Sequence, residues 1–253
     1  MKTVTIRNLE IGSGRPKIAV PIVGQTKEAI LKEAKSLLSL PVDLAEWRAD
    51  WFSSVSDEDQ VLDVLQELRS ILGDLPLLMT FRTKQEGGER DISPADYRSL
   101  NLLAAKSGLV DLIDTELFLG EELVRSIIHE AHESGVKVIA SNHDFSKTPE
   151  KSELIRRLCL MQQYQADILK IAVMPQNKKD VLTLLSATEE MVSQYADRPV
   201  VTMSMSRTGV ISRLCGECFG SAVTFGSAGQ SSAPGQIDAA SLYQLLNELH
   251  HVL

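Results

Sequence analysis

The sequence predicts a (β/α)8 barrel of the TIM type with an N-terminal β-hairpin, and three observations lead to this fold class. Short apolar or β-branched runs recur eight times, at intervals of roughly 25 to 35 residues. Segments with the hydrophobic spacing of amphipathic helices lie between these runs. The chain has 253 residues, and this barrel typically needs about 250.

The first predicted element is the hairpin. Residues 3–12 alternate polar and apolar side chains and are followed by the turn-forming sequence GSGRP. We expect a hairpin region over residues 1–16 within a single barrel domain of residues 1–253. No linker, charge block or repeat inside the chain indicates a second domain.

The eight strands of the barrel follow in order. They are predicted over residues 17–24, 42–50, 76–83, 109–117, 136–144, 166–174, 199–205 and 221–227. Several of the intervening helical segments end at glycine or just before proline, where a helix stops and a strand begins. Periodicity does not show whether a sheet closes, so a doubly wound open sheet is the structural alternative.

Composition and charge limit the possible partners. The chain carries 26 Lys and Arg against 34 Asp and Glu, and the net charge of −8 opposes binding to nucleic acids and anionic membranes. The N-terminus lacks the apolar core of a signal peptide, and no apolar run approaches the about 20 residues of a membrane span. The three cysteines cannot all pair. We therefore expect a cytoplasmic protein that binds a small molecule.

A lysine in the predicted sixth strand is the first candidate for chemistry. Lys170 lies among apolar residues, and strand alternation places it on the inner face with Ala172. Burial disfavours the ammonium form, lowers the pKa and so favours a nucleophilic amine at neutral pH. The alternative is a structural lysine at a strand end, paired with Glu46, Glu86 or Glu116.

A histidine ends the predicted fifth strand. His143 shares one face of that strand with Ser141. Imidazole is suited to proton transfer near pH 7, although a lone histidine at a strand end is more often structural. Neighbouring strands lie about 5 Å apart, so His143 and Lys170 could converge on one ligand.

Charged side chains also point inward from two earlier strands. Alternation places Glu46 and Arg48 on the inner face of the second strand and Arg82 on that of the third, and the following loop carries Glu86. These residues fall toward the carboxyl ends of their strands, where barrel active sites are built.

A divalent cation is the alternative use of the inward acids. A set of four could supply oxygen ligands: Glu46, Asp50, Asp114 and Glu116. Arg48 and Lys170 point into the same space and would repel a cation, so we expect neither a metal nor another cofactor.

Several motifs resemble one known family. Residues 114–117 (DTEL) and 138–144 (VIASNHD) resemble the signature of type I 3-dehydroquinate dehydratases, with His143 at the family's histidine. The resemblance extends through EWRAD, FRTKQEGGE, DILKIAVMPQ, TMSMSRTGVISRL and SAPGQI, and so covers nearly the whole chain. It implies a cofactor-free homodimer that converts 3-dehydroquinate to 3-dehydroshikimate in the shikimate pathway of aromatic amino acid biosynthesis.

The resemblance also implies the catalytic roles. Lys170 would form an imine with the C3 ketone, and the iminium would act as an electron sink that acidifies the C2 proton. His143 would remove that proton and then protonate the departing C1 hydroxyl. Glu86 would hold His143 in the useful tautomer and orientation.

The remaining implied roles concern binding of the substrate. Arg213 would bind the substrate carboxylate, because a planar guanidinium can do so bidentately. Ser232 and Gln236 would contact the substrate from a lid after the eighth strand. Three inward charges would recognise ring hydroxyls and set the local field: Glu46, Arg48 and Arg82.

Two other functions stay open from the sequence alone. A class I aldolase would use the same lysine imine but cleave a carbon–carbon bond. A non-catalytic binding barrel would keep the pocket without turnover. The C-x-x-C of Cys215 and Cys218 lies within a predicted helix rather than at its N-terminus, which disfavours a redox role.

Overall fold

The computed structural model describes residues 3–229 and 232–253. Its first element is the predicted hairpin, formed by the antiparallel strands β1 (Val4–Ile6) and β2 (Leu9–Ile11). Arg7, with a φ of 51°, turns the chain between them. The hairpin prediction is confirmed.

Eight parallel strands then form the barrel, and each overlaps one of the eight predicted runs. They are β3 (Lys17–Ile22), β4 (Leu44–Arg48), β5 (Leu77–Thr80), β6 (Leu112–Glu116), β7 (Lys137–Asp144), β8 (Ile168–Val173), β9 (Val200–Ser204) and β10 (Val223–Ser227). A short strand, β11 (Ile237–Asp238), adds to β10.

The sheet closes on itself. β10 pairs in parallel with β3, with Val223 opposite Lys17. On the other side, Val200 and Ser221 form a parallel bridge, and the Ala222 amide donates to the Val200 carbonyl at 2.8 Å. This closure confirms the predicted barrel and excludes the doubly wound open sheet.

Helices connect the strands and pack around them. They are α1 (Lys27–Leu37), α2 (Glu58–Leu72), α3 (Pro94–Lys106), α4 (Glu121–Glu133), α5 (Lys151–Gln163), α6 (Lys178–Glu190), α7 (Ile211–Leu214), α8 (Gly216–Phe219) and α9 (Ala239–His250). Side chains cap several N-termini: Thr26, Asp57 and Ser93 each accept a hydrogen bond from the amide three residues on. Within the described part of the chain, none of these helices combines the length and hydropathy needed to cross a membrane.

One helix prediction is partly wrong. The helix expected through Cys215 and Cys218 breaks at Cys215, between α7 and α8. Gly216 packs so close to the Ser221 carbonyl that a Cβ would lie 2.9 Å from its oxygen, and this contact requires glycine. Burial raises the pKa of Cys215 to about 11, so its thiol stays protonated at neutral pH.

Two apolar layers result from strand alternation. The outer layer, which includes Trp47, Leu169 and Ile171, packs against the helices. The inner layer takes at least one side chain from each barrel strand, including Ala19, Leu44, Leu78, Leu112, Ile139, Ile168, Val201 and Val223. The hairpin residues Ile6 and Ile11 belong to this same inner cluster. The hairpin therefore seals the amino end of the barrel and leaves the carboxyl end for polar groups.

The sealing role of the hairpin can be tested on Ile11, which is fully buried. Ile11→Ala should lower the free energy of unfolding by about 2 to 4 kcal/mol, because it removes buried methyl groups and leaves a cavity. Thr5→Ala, at an exposed position of β1, is the control and should change it by less than about 0.5 kcal/mol. Urea denaturation of both variants measures the two changes in unfolding free energy. Small changes of equal size in both variants would contradict the packing of Ile11 in the inner cluster.

Candidate active site

A single cavity at the carboxyl end of the barrel brings the predicted site residues together. Its wall includes all nine of them: Glu46, Arg48, Arg82, Glu86, His143, Lys170, Arg213, Ser232 and Gln236. They come from β4, the loop after β5, β7, β8 and the segments that follow β9 and β10. This is the end of the barrel at which parallel strands present their catalytic residues.

Lys170 lies at the centre of this cavity and is only 4% exposed. Its Nζ lies 3.8 Å from Glu46 Oε1, 3.8 Å from Asp114 Oδ2 and 4.3 Å from the centroid of the Phe225 ring. The two carboxylate distances exceed that of a hydrogen bond, so the contacts are electrostatic only. Burial lowers the pKa of Lys170, although Glu46 and Asp114 oppose that shift.

Asp114 is a partner of Lys170, whereas the sequence indicated it only as an alternative metal ligand. Its Oδ1 accepts hydrogen bonds from Arg82 Nη2 at 2.8 Å and Ser141 Oγ at 2.7 Å. Its Oδ2, which faces Lys170, is buried and has no hydrogen-bond partner among the described residues. Strand alternation in the DTE motif places Asp114 on the inner face of the barrel, and this signal could have identified it as a neighbour of Lys170.

Arg82 holds the acidic residues of this layer in place. Its Nη1 donates to Glu116 Oε1 at 2.9 Å and to Ser141 Oγ at 3.0 Å, while Nη2 donates to Asp114. Burial alone would lower the pKa of Arg82, but Asp114 and Glu116 raise it well above its ordinary value. The guanidinium is therefore a permanent positive charge that is already paired.

Arg48 is paired in a similar way. Its Nε and Nη2 donate to the two carboxylate oxygens of Asp50 at 2.8 and 2.9 Å. Asp50 also accepts the backbone amides of Arg82 at 3.2 Å and Glu89 at 3.1 Å. Among the acids considered as alternative metal ligands, Asp50, Asp114 and Glu116 thus lie against arginine guanidinium groups, while Glu46 accepts a hydrogen bond from the Thr80 hydroxyl at 2.9 Å.

His143 and Glu86 form a buried pair at the rim. Glu86 Oε2 lies 3.0 Å from His143 Nδ1 and also accepts the His143 backbone amide at 2.8 Å. Because Nδ1 faces Glu86, Nε2 is the ring nitrogen left for a ligand. Burial lowers the pKa of His143 well below its ordinary value, and Arg82 and Lys170 lower it further, so the imidazole is neutral at neutral pH.

Two glycines, Gly87 and Gly88, allow the loop to place Glu86 beside His143. Glu86 ends a single 3-10 turn, Lys84–Glu86, and Gly87 follows with a φ of +83°. A Cβ on Gly87 would lie 2.2 Å from the Phe145 ring, and one on Gly88 would lie 1.9 Å from the Arg82 carbonyl oxygen. The loop can fold back over the strand only because these two residues lack side chains.

Arg213 differs from the other cations of the site. It is 1% exposed, yet no carboxylate of the described residues forms an ion pair with it. Its Nη2 donates to the Pro234 carbonyl at 3.1 Å, and its Nε has no partner within the described chain. Burial lowers the pKa of Arg213 to about 10. A buried guanidinium without an anion is suited to receive one from a ligand.

Ser232 and Gln236 close the cavity from above. The Ser232 amide donates to Gln236 Oε1 at 2.9 Å, and Gln236 Nε2 donates to Ser232 Oγ at 3.0 Å. The cavity below them has a volume of ≈ 40 Å³, far less than the about 300 Å³ or more of a ligand pocket. A ring-sized molecule therefore does not fit the cavity in this conformation.

An apolar side of the cavity was not found from the sequence. It is built by Phe145, Met203, Met205 and Phe225. No charge or motif distinguishes these residues from ordinary core positions, and only the folded chain shows that they face the ligand space.

The fold and this arrangement define a barrel enzyme whose central group is a buried lysine. Comparison with known proteins specifies the class further. The sequence profile of the family described as Type I 3-dehydroquinase matches residues 18–252. The 3-dehydroquinate dehydratase of Clostridioides difficile (strain 630) is 57% identical over 249 residues, 98% of each chain. That of Syntrophotalea carbinolica is 53% identical over 250 residues, 99% of each chain.

A solved structure agrees with these sequence relatives. The type I 3-dehydroquinate dehydratase of Clostridium difficile, with covalently modified comenic acid, superimposes with a TM-score of 0.97 at 56% identity. The superposition covers 100% of this chain and 99% of that one. The chain belongs to the type I 3-dehydroquinase family. The family, and with it the class of hydro-lyases, is confirmed as predicted.

The burial of Glu86 predicts a pH-dependent stability. Burial raises the pKa of Glu86 to about 8, and Arg82, 3.6 Å away, opposes the shift. Since the folded state then binds a proton that the unfolded state has released, stability must fall as pH rises toward 8. Relative to Glu86→Gln, the wild type should lose up to about 1 kcal/mol between about pH 7 and about pH 8, where His143 is largely unprotonated in both states.

Urea denaturation of both proteins across this range measures the effect. The difference in unfolding free energy between the two proteins should change as the pH rises to the pKa of the folded Glu86 carboxyl group and stay constant above it. Parallel curves throughout would contradict a raised pKa at Glu86.

Proposed function

We propose that this chain dehydrates 3-dehydroquinate to 3-dehydroshikimate through a Schiff base on Lys170, as a step of the shikimate pathway. The observation that carries the proposal is the placement of Lys170 in a closed cavity, one strand away from His143. β7 and β8 pair with Ser141 opposite Lys170 and His143 opposite Ala172. Membership of the type I 3-dehydroquinase family supports the same reaction.

The first step would form the imine. The unprotonated amine of Lys170 attacks the C3 ketone to give a carbinolamine, which takes up one proton from the solvent and loses water to give a protonated imine. The lowered pKa of Lys170 favours the free amine that this step needs. The carboxylates of Glu46 and Asp114 then lie close enough to stabilise the iminium charge.

The second step would be elimination. His143 Nε2 removes the C2 proton, and the electron pair moves into the iminium to give an enamine. Electrons return from the enamine as the C1 hydroxyl leaves, and His143 supplies the proton that makes it water. Hydrolysis of the product imine then regenerates the Lys170 amine and releases the ketone.

Glu86 would act through His143. A carboxylate that accepts Nδ1–H fixes the tautomer with a bare Nε2, and it stabilises the imidazolium once that nitrogen is protonated. In the ligand-free protein this carboxylate form gains population as the pH rises toward the raised pKa of Glu86, about 8. The 3.0 Å contact between Glu86 Oε2 and His143 Nδ1 supports this role.

The binding residues would divide the work between two ends of the substrate. Arg213, buried without an ion-pair partner in the described chain, would bind the carboxylate, and Ser232 and Gln236 would close over it. Glu46 and Arg48 would recognise ring hydroxyls from the cavity wall. Arg82 is occupied by protein carboxylates, so it would act mainly through its charge.

The other functions considered from the sequence are less well supported. A class I aldolase would not be expected to match this family over nearly its whole length. A binding barrel does not require the free amine and the neutral imidazole that burial favours here. The relative solved with covalently modified comenic acid supports covalent chemistry within the family. The homodimer and the cytoplasmic location stay predictions.

Reductive trapping tests the Schiff base. Borohydride with 3-dehydroquinate should attach the ligand covalently to Lys170, because hydride reduces the imine to a stable secondary amine. Lys170→Ala should abolish both the adduct and turnover. Lys147→Ala, at an exposed position near the rim, is the matched control and should behave as the wild type. Peptide mass mapping locates the adduct, and normal turnover by Lys170→Ala would refute the mechanism.

Replacing His143 separates the two chemical steps. His143→Ala should still form the borohydride-trapped adduct but should lower kcat by about 10²- to 10⁴-fold, because elimination loses its base and acid. Rapid-quench measurement of adduct and product gives both quantities. Full activity in this variant would remove the assigned role of the imidazole.

A further inference from the structure

Asn142 connects the catalytic pair to the outer helices of the barrel. It is 4% exposed and follows Ser141 on the opposite face of β7. Its Nδ2 donates to Glu86 Oε1 at 2.9 Å, while its Oδ1 accepts from Arg157 Nη1 at 2.7 Å. Both ends of the amide are thus used, one by the proposed orienting carboxylate and one by a guanidinium on α5.

The two ends of this amide cannot be exchanged. A guanidinium only donates hydrogen bonds, so Arg157 requires the Asn142 oxygen to face it. That choice leaves the Asn142 amino group to face Glu86. If the amide were reversed, an oxygen would face the Glu86 carboxylate and two donors would face each other. Arg157 therefore determines that Glu86 receives a donor.

Arg157 is itself held from two sides. Its Nε donates to Glu153 Oε1 at 2.8 Å, and its guanidinium lies 5.3 Å from the centroid of the Phe118 ring. Its side chain is 14% exposed. An arginine fixed by an ion pair and an aromatic face can act as a rigid support rather than as a mobile surface charge.

We propose that Asn142 and Arg157 are positioning residues, which hold the Glu86 carboxylate in the orientation that accepts Nδ1–H from His143. The proposal rests on the reaction proposed above and extends it from the residues that face the substrate to a relay that ends on α5. Each link is a direct contact: Arg157 to Asn142, Asn142 to Glu86, and Glu86 to His143.

The electrostatics of the site agree with this geometry. Burial raises the pKa of Glu86, Arg82 lowers it, Glu116 raises it, and the hydrogen bond from Asn142 lowers it. His143 faces the positive charges of Arg82, Lys170 and Arg48. Loss of the Asn142 donor must therefore shift Glu86 further toward its protonated form. A protonated Glu86 accepts Nδ1–H more weakly and can donate its own proton to Nδ1 instead, so the population of the His143 tautomer with a bare Nε2 falls.

Asn142→Asp tests the link to Glu86 with little change in shape. One oxygen of the new carboxylate can still accept a hydrogen bond from Arg157. The other oxygen stands where the Asn142 amino group was, so an acceptor instead of a donor faces Glu86. We expect kcat at neutral pH to fall about 10- to 100-fold with little change in KM. The acid limb of the pH profile, where kcat declines on the acid side, should move to higher pH. Borohydride trapping on Lys170 should be retained.

α5 offers a matched pair of arginines for the second link. Arg156 also donates to Glu153, at 2.6 and 2.9 Å, but its side chain is 57% exposed and it does not contact Asn142. Arg157→Met should shift the acid limb in the same direction as Asn142→Asp. Arg156→Met should leave it at the wild-type position. Arg157→Lys, which keeps a donor, should restore part of the wild-type profile.

A second readout does not depend on turnover. The tautomer and titration of the His143 ring can be followed by ¹⁵N NMR in the ligand-free protein. Asn142→Asp and Arg157→Met should reduce the population with a protonated Nδ1, and Arg156→Met should not. A merely structural role for α5 would lower stability in both arginine variants without moving the His143 signals.

The outcomes separate this proposal from the one on which it rests. Wild-type pH profiles and wild-type His143 spectra in both Asn142→Asp and Arg157→Met would overturn the relay. A wild-type chain that neither dehydrates 3-dehydroquinate nor forms a trapped adduct would instead overturn the proposed reaction, while the His143 spectra would still decide whether the relay exists.

Discussion

The site depends on one constraint: a primary amine is held inside a protein barrel beside two carboxylates, at distances longer than a hydrogen bond. Lys170 is 4% exposed, and its two carboxylate neighbours stop 3.8 Å away. Shorter contacts would fix the ammonium form, whereas no carboxylate at all would make burial of the charged form very unfavourable. The intermediate distance favours the free amine and still leaves negative charge near the positively charged intermediate of the proposed reaction.

The surrounding layer makes this arrangement possible. Arg82 pairs with Asp114 and Glu116, and Arg48 pairs with Asp50, so most charges inside the barrel have a partner within the protein. Arg213 is the contrasting case, since it is buried and forms no ion pair with the described residues. The paired charges lie in one half of the cavity, and the unpaired guanidinium of Arg213 lies in the other. An anionic ligand could therefore place its negative charge at Arg213 and its reactive group near Lys170.

Much of this could be predicted from the sequence, because strands impose a two-residue period. Alternation placed Glu46, Arg48 and Lys170 inside the barrel, and the spacing of apolar runs located all eight strands. Contacts between distant segments could not be found in this way. The role of Asn142 depends on a helix fifteen residues later and a loop 56 residues earlier, and the break at Cys215 depends on a close backbone approach to Ser221. Neither leaves a periodic signal in the chain.

The central claim is tested most directly by the ionisation of Lys170 in the ligand-free protein. Heteronuclear NMR of the lysine side chains, with Lys170→Met to assign the resonance, follows that group through its titration. We expect the pKa of Lys170 to lie below the ordinary lysine value of 10.5, because burial outweighs the attraction of Glu46 and Asp114. A pKa at or above that value would show that the carboxylates dominate and that the amine is not prepared for attack on a ketone.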